Sequence, residues 1–423
     1  MSVSERGDLA SSAPQVAQRG MFNVGLLGHG TVGSAFAALL DERAEAVERL
    51  TSRRPALSGT LTRSGGDFEQ ILAGSEAIVE LIGGLEPARE WVLRALQAGR
   101  HVITANKQLL SHHGEELFAA AAENGVQLRF EAAVAGVVPV IRVLSESLAA
   151  AHVERVHGIV NGTTNFILTE MASGSSYEQA LAEAQRQGYA EADPSEDVSG
   201  KDAAAKMAIL ARLAFGASVH IDQVPYEGIE QLQTDDLQYA RELGLGLKLI
   251  GTAERRDGGL SVRVHPAFLN SGHPLASVSG PYNAVTVESD AITEITMSGP
   301  GAGGRQTASA VLGDLISTML PPSLPPPPAE SLPLVADVPS AFYIHIELAD
   351  RPGALAAVAQ ALGEQGASIK SVVQRGLGEH ARLVMVIHPL AESRLRRALE
   401  RIGSLDFLRS TPRAIRVIEE EFI

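Results

Sequence analysis

The chain has 423 residues, 45% of them apolar and only 20% charged, so it can bury more than one core and should divide into two or three domains. A net charge of −15 disfavours the polyanion contacts that nucleic acid or an anionic membrane requires. The sequence holds no cysteine, which excludes disulfides, thiolate nucleophiles and sulfur-based zinc sites and points to a reducing, cytoplasmic setting.

Residues 1–20 are polar, mix Glu5 and Asp8 with Arg6 and Arg19, and lack the apolar core of a signal peptide, so a disordered tail is expected there. No uninterrupted apolar run approaches the roughly 18–20 residues needed to span a bilayer. Residues 21–27 are apolar enough for a buried parallel strand, and 34–50 has helical spacing. Residues 77–82 and 101–104 are expected as further short strands, with 86–98 between them as a helix ended by Gly99. This alternation predicts an α/β chain whose residues 21–138 form a Rossmann-type, doubly wound parallel sheet.

Residues 139–320 mix expected strands such as 153–160 with alanine-rich helices at 177–187 and 201–215, an α+β pattern. Between 321 and 338 lies the run Pro321-Pro322-Ser323-Leu324-Pro325-Pro326-Pro327-Pro328, a semi-rigid spacer that sustains neither helix nor sheet. Beyond it, 342–348 alternates as a half-buried strand and 354–364 is helical, so residues 339–423 are expected to form a small sheet-plus-helix domain.

Three segments carry chemistry. Gly28-His29-Gly30-Thr31-Val32-Gly33 is G-x-G-x-x-G placed between an expected strand and an expected helix. There glycine permits a tight turn and close backbone approach to a pyrophosphate, while the helix N-terminus offers free N–H groups. The bland alternative is an ordinary glycine turn. The next strand ends near Arg63 rather than at an acid, which suits a 2′-phosphate and favours NADP slightly, although a solvated arginine and NAD remain open. His29 is expected to face solvent.

The second segment, residues 188–206, clusters acids ahead of lysines. On the helix after Gly200, Asp202 and Lys206 share a stripe with Ile209 and Leu213, so the lysine faces inward. It is either half of a structural Asp–Lys pair or, held by that carboxylate, a proton donor to a carbonyl that receives hydride. Third, Lys107 in Thr104-Ala105-Asn106-Lys107 follows a parallel strand, where ligands bind in such sheets; it holds an anionic group or is simply a surface lysine.

Together with Val160-Asn161-Gly162-Thr163-Thr164-Asn165-Phe166, these motifs make the chain resemble homoserine dehydrogenase from residue 21 onward. The resemblance implies NAD(P)-dependent interconversion of L-aspartate 4-semialdehyde and L-homoserine in threonine, methionine and isoleucine biosynthesis. It further implies Lys206 as proton donor, Asp202 as the residue that positions it, Glu191 and Asp197 as substrate ligands, and Lys107 between cofactor and substrate. A sodium ion bound mainly through backbone carbonyls maps onto Glu131, Val134, Gly136 and Val138. The tail, with Asp350-Arg351-Pro352-Gly353-Ala354-Leu355 after a strand, is similar to an ACT domain, a βαββαβ module that commonly binds amino acids. This implies L-threonine as a possible effector, with a module that binds nothing as the alternative, and a homodimer or homotetramer. The rivals are another ACT-containing dehydrogenase, such as phosphoglycerate dehydrogenase with a mid-chain glycine loop and a catalytic histidine, and a non-catalytic amino-acid sensor.

Overall fold

The structure, a computed structural model, describes residues 20–320, 332–375 and 381–418. The expected tail, all but its last residue, and the proline run lie outside these.

Five parallel strands form the first layer: β1 (Gly20–Leu27), β2 (Arg53–Leu61), β3 (Ala77–Glu80), β4 (His101–Thr104) and β5 (Leu128–Arg129). Their order is β2-β1-β3-β4-β5. The chain leaves β1 for one side and returns through β3 on the other, which opens a crevice at the carboxyl ends of those two strands. Val24, Leu26, Ile78, Val79, Val102 and Ile103 are fully buried, as strands covered on both faces require. β3 stops two residues short of the expected end. The reason is Glu80: its carboxylate accepts the N–H groups of Ile82 (2.8 Å) and Gly83 (3.1 Å), diverting them from the ladder. The expected 86–98 helix runs over Ala88–Gln97, since Pro87 stands at its N-cap.

A second sheet has nine strands. β6 (Val153–Ile159), β7 (Leu245–Arg256), β8 (Gly259–Asn270), β9 (Tyr282–Ser289) and β10 (Thr293–Pro300) are antiparallel neighbours in the order β10-β9-β6-β7-β8. β11 (Ser340–Leu348), β12 (Ile369–Arg375), β13 (Ala381–Leu390) and β14 (Arg413–Ile418) continue it as β14-β11-β13-β12, with helices Ala354–Glu364 and Glu392–Gly403 on one face. That is the βαββαβ module, and parallel pairing of β14 with β8 fuses it to the preceding sheet. Helix Gly304–Met319 returns to the first layer, where Ala308, Val311, Leu312 and Leu315 pack with Phe36, Leu39 and Leu40.

Two helices aim at the space between the layers. Lys107–Glu123 starts just beyond β4, its N-terminus capped by Asn106, whose side chain accepts the Leu109 N–H at 3.0 Å. Lys201–Phe215 starts at Gly200, whose φ of 88° favours glycine. Its small residues Ala203, Ala204, Ala205, Ala208 and Ala211 are buried and let it lie close against the second sheet.

Candidate active site

The glycine loop lies at the mouth of the β1/β3 crevice. Gly28 has φ 97°, and a Cβ there would meet the Leu81 carbonyl oxygen at 2.6 Å; a Cβ on Gly33 would meet the Gly28 oxygen at 2.1 Å. A Cβ on Gly30 would meet nothing within 4 Å. Two glycines therefore make the turn, and the third keeps a space clear in front of the helix N-terminus. Helix Thr31–Thr51 begins there with no side-chain cap, its first N–H groups open to an anion. Thr31 is exposed, Val32 half-buried, and His29 exposed. The chemistry of this cradle fits a dinucleotide pyrophosphate. Arg63 sits in the turn after β2 closed by the Thr62 N–H to Gly65 oxygen bond (2.8 Å), exposed and with no carboxylate at salt-bridge distance among the described residues.

The N-termini of the two inward helices bring the lysines together. Asp202 is buried, its side chain 2% exposed, between Lys107 and Lys206. Lys107 pairs with Oδ1 of Asp202, and Lys206 donates to Oδ2 at 2.7 Å and to the Val160 carbonyl at 2.7 Å. Burial alone would raise the Asp202 pKa, but the two ammonium groups hold it well below the usual carboxylate range. For Lys107, burial pulls downward, but the charge and hydrogen bond of Asp202 together with the charges of Asp197 and Glu196 outweigh it, leaving it above its ordinary value. Asp197 goes the other way: burial, then repulsion by Asp202, raise it, and the Asn161 hydrogen bond only partly offsets them.

Asn161 ties this cluster to the fold. Its amide donates to Asp197 (2.7 Å) and Asp202 (2.8 Å), while its oxygen accepts the Thr164 N–H (2.8 Å) and so caps helix Gly162–Ala172. Sequence reasoning assigned no role to Asn161, nor to fully buried Glu80, which accepts the Thr104 hydroxyl at 2.6 Å beside Lys107. An asparagine opening a Gly-Thr-Thr helix start and an acid ending an apolar strand were the available signals. Glu191 is exposed, and no hydrogen bond or ion pair among the described residues joins its carboxylate to the lysine cluster.

The cation segment lies between the two layers. The Glu131 carboxylate accepts the N–H groups of Ile141 (2.8 Å) and Arg142 (3.0 Å), and its own N–H donates to Asp314 at 2.7 Å. Ala135 and Gly136 both have positive φ, 58° and 68°, which turns the backbone through Val134, Gly136 and Val138 sharply. Burial and repulsion by Asp314 push Glu131 up to about 7, and burial pushes Asp314 up to about 6. Two buried carboxylates that share the Arg142 guanidinium, 3.6 Å from Asp314, and sit on a sharply turned backbone segment are a donor set that fits a hard monovalent cation.

Three family models cover most of the chain: "Homoserine dehydrogenase, NAD binding domain" matches residues 28–131, "Homoserine dehydrogenase" 139–316, and "ACT domain" 342–407. The homoserine dehydrogenase of Neisseria gonorrhoeae is 38% identical over 91% of this chain and 95% of its own. A solved homoserine dehydrogenase from Thiobacillus denitrificans is 38% identical with a TM-score of 0.90, covering 95% of this chain and 99% of its own. A hyperthermophilic archaeal homoserine dehydrogenase solved in complex with NADPH is 28% identical, with a TM-score of 0.60 over 70% of this chain and 97% of its own. These likenesses disfavour both the sensor and a dehydrogenase of other specificity. Similarity of this extent, on a fold that carries both a nucleotide cradle and a buried Lys–Asp–Lys cluster, establishes that the chain belongs to the homoserine dehydrogenase family and is an NAD(P)-dependent oxidoreductase.

Proposed function

We propose that this homoserine dehydrogenase uses Lys206 as the proton donor and acceptor in interconverting L-aspartate 4-semialdehyde and L-homoserine. The observation that carries the reading is the count of N–H bonds: an ammonium has three, and those of Lys206 meet Val160 and Asp202, leaving one for a substrate oxygen. In the reducing direction that N–H passes its proton to the aldehyde oxygen as the carbonyl becomes an alcohol; in reverse the neutral amine takes the hydroxyl proton. Asp202 fixes the position of Lys206 and balances its charge. Lys107, paired with the other oxygen of Asp202, stands where cofactor and substrate meet. Asp197 and Glu191 are substrate-binding carboxylates in this reading, Glu191 taking the amino group.

Gly28, Gly30, Thr31, Val32 and Gly33 would hold the cofactor pyrophosphate, and Arg63, exposed and without a carboxylate partner among the described residues, would take a 2′-phosphate, so NADP is preferred slightly over NAD. The nicotinamide, when bound, supplies or accepts the hydride. Carbonyl oxygens of Glu131, Val134, Gly136 and Val138 would hold Na+, supplying a fixed charge that stiffens the segment between the layers.

The reading divides the chain into a nucleotide-binding domain at 21–138, a catalytic and dimerisation domain at 139–320, and a regulatory ACT domain at 339–423 after the linker. It includes L-threonine as effector of the ACT domain, a homodimer or homotetramer, and a cytoplasmic setting. The test is absorbance at 340 nm with L-homoserine and NAD or NADP in turn, with and without L-threonine. Homoserine-dependent reduction, faster with NADP and slowed by threonine, supports it. Equal use of both cofactors would remove the Arg63 assignment, and indifference to threonine the effector.

A further inference from the structure

Away from the lysine cluster, the groove between helices Lys107–Glu123 and Lys201–Phe215 widens into a separate cavity of about 270 Å³. Leu110, Ile209 and Val219 supply its apolar lining and His112 and His220 part of its polar lining, with Arg212 contributed by one helix and Glu115 by the other. Ser111 and Glu115 lie four and eight residues after Lys107, and Ile209 lies seven after Asp202, so both walls prolong the stripes that carry the catalytic cluster. At 1.5 Å per residue the cavity is roughly 10–15 Å along the helices from Asp202.

Its electrostatics are those of an incomplete pair. Arg212 lies over the Phe118 ring at 4.5 Å, and no carboxylate stands at salt-bridge distance from it among the described residues. Burial lowers its pKa, and the more distant Glu115 only partly compensates, so the guanidinium has lost water without gaining a full counter-charge. Glu115 is exposed at the rim and, among the described residues, accepts only the Ser218 hydroxyl, at 3.1 Å. A cation that lacks an anion among the described residues, a carboxylate on the neighbouring helix and the apolar patch of Leu110, Ile209 and Val219 complement a zwitterion with an aliphatic tail. A volume of about 270 Å³ leaves ample room for a small amino acid.

We propose that this cavity is a second amino-acid site, distinct from the ACT domain, which takes a small aliphatic L-α-amino acid with its carboxylate on Arg212 and its ammonium on Glu115. Such a ligand ties together the two helices whose N-termini meet at Lys107 and Asp202. It therefore favours the closed Lys107–Asp202 contact and opposes substrate entry between them. That consequence rests on the proposed roles of Lys107 and Asp202, whereas binding itself does not.

The experiment is calorimetric titration of the full-length protein with L-valine and L-isoleucine, compared with N-acetyl-L-valine and acetate, on wild type and on Arg212→Met, Glu115→Gln and Arg351→Ala, the last altering only the ACT segment. The expected result is binding of the free amino acids but not of the acetylated form or acetate, weakened at least tenfold by Arg212→Met and by Glu115→Gln and kept in Arg351→Ala. Glu115→Gln, at an exposed position, guards against misfolding of the arginine variant. No binding, equal binding of acetate, or binding indifferent to both cavity variants overturns the proposal. In steady-state assays the bound amino acid should raise the KM for homoserine roughly tenfold, a usual coupling between two sites. Binding without that rise would defeat the coupling and the roles it rests on, while leaving the site.

Discussion

At the scale of single residues, charge placement decides the chemistry. If Lys206 has the proposed role, replacing it by alanine removes the N–H that would meet substrate, so turnover should fall by roughly the 10²–10⁴ typical of a general acid while cofactor affinity, measured by fluorescence titration, stays within error. Unchanged turnover would return Lys206 to the structural pair. Lys248 presents a contrasting case. It is buried on β7 with its ammonium on the Asn165 side-chain oxygen (3.1 Å) and the Val278 carbonyl, and burial pulls it down to about 8. Its folded pKa lies below the unfolded value near 10.5, so the native state binds fewer protons between those values and gains stability as pH rises. The penalty for charging Lys248 is complete below pH 8 and gone above about 10.5; at 1.36 kcal/mol per unit it amounts to about 3 kcal/mol at most. Against Lys248→Met in urea titrations, the wild type should gain by up to that amount between pH 7 and pH 10. A difference independent of pH would mean that the lysine is charged throughout.

At the scale of elements, the strand–turn–helix unit around Gly28–Gly33 separates folding from binding. Gly30 has φ −78° and ψ −156°, a conformation open to alanine, and its Cβ would meet nothing. Gly30→Ala should therefore keep the wild-type melting temperature yet weaken cofactor binding, since an intruding methyl costs roughly 1–3 kcal/mol, a factor of about 5–150 in Kd. Gly33→Ala, with its Cβ 2.1 Å from the Gly28 oxygen, should lower the melting temperature even without cofactor. Matching behaviour of the two variants would contradict the division of labour between the glycines. This unit was legible in the sequence because every cue is local: an apolar run, a glycine spacing and a helical period within thirty-odd residues. The same locality explains the helix Lys201–Phe215 and the shared face of Asp202 and Lys206. The role of Asn161 was not legible, because its partners Asp197 and Asp202 are brought to it by the packing of three helices. Nor was the end of β3 at Glu80, where a side-chain acceptor outcompetes the ladder for two N–H groups. Pairing of β14 with β8 joins residues about 150 apart in the sequence, and parallel register across such a distance leaves no periodic trace.

At the scale of the whole molecule, that pairing makes catalytic and ACT strands one sheet, and a buried charge cluster locks its face. Asp236 on helix Thr234–Glu242 accepts from His345 of β11 (2.8 Å) and from Arg413 of β14 (3.0 Å). Burial would raise Asp236, but the hydrogen bonds and charges of His345 and Arg413 together outweigh it and hold it below the ordinary aspartate value. Its helix packs against Gly162–Ala172, which Asn161 caps beside Asp202, so the seam has a physical route to the site. Removing the acid alone strands a partly buried guanidinium against the helix, and breaking buried pairs in this way costs about 3–5 kcal/mol. Asp236→Ala should therefore speed hydrogen exchange in β11 and β14 before it does so in β1 or β3, because the lost contact lies at the seam. The pH dependence has a definite sign. A lowered folded pKa stabilises above the unfolded value near 3.8 and is lost as pH falls through the folded value, so the gap between wild type and Asp236→Ala should narrow only in strong acid. A gap that closes already between pH 7 and pH 5 would assign the coupling to a histidine instead. Exchange that rises evenly over both sheets would show the seam to be ordinary core.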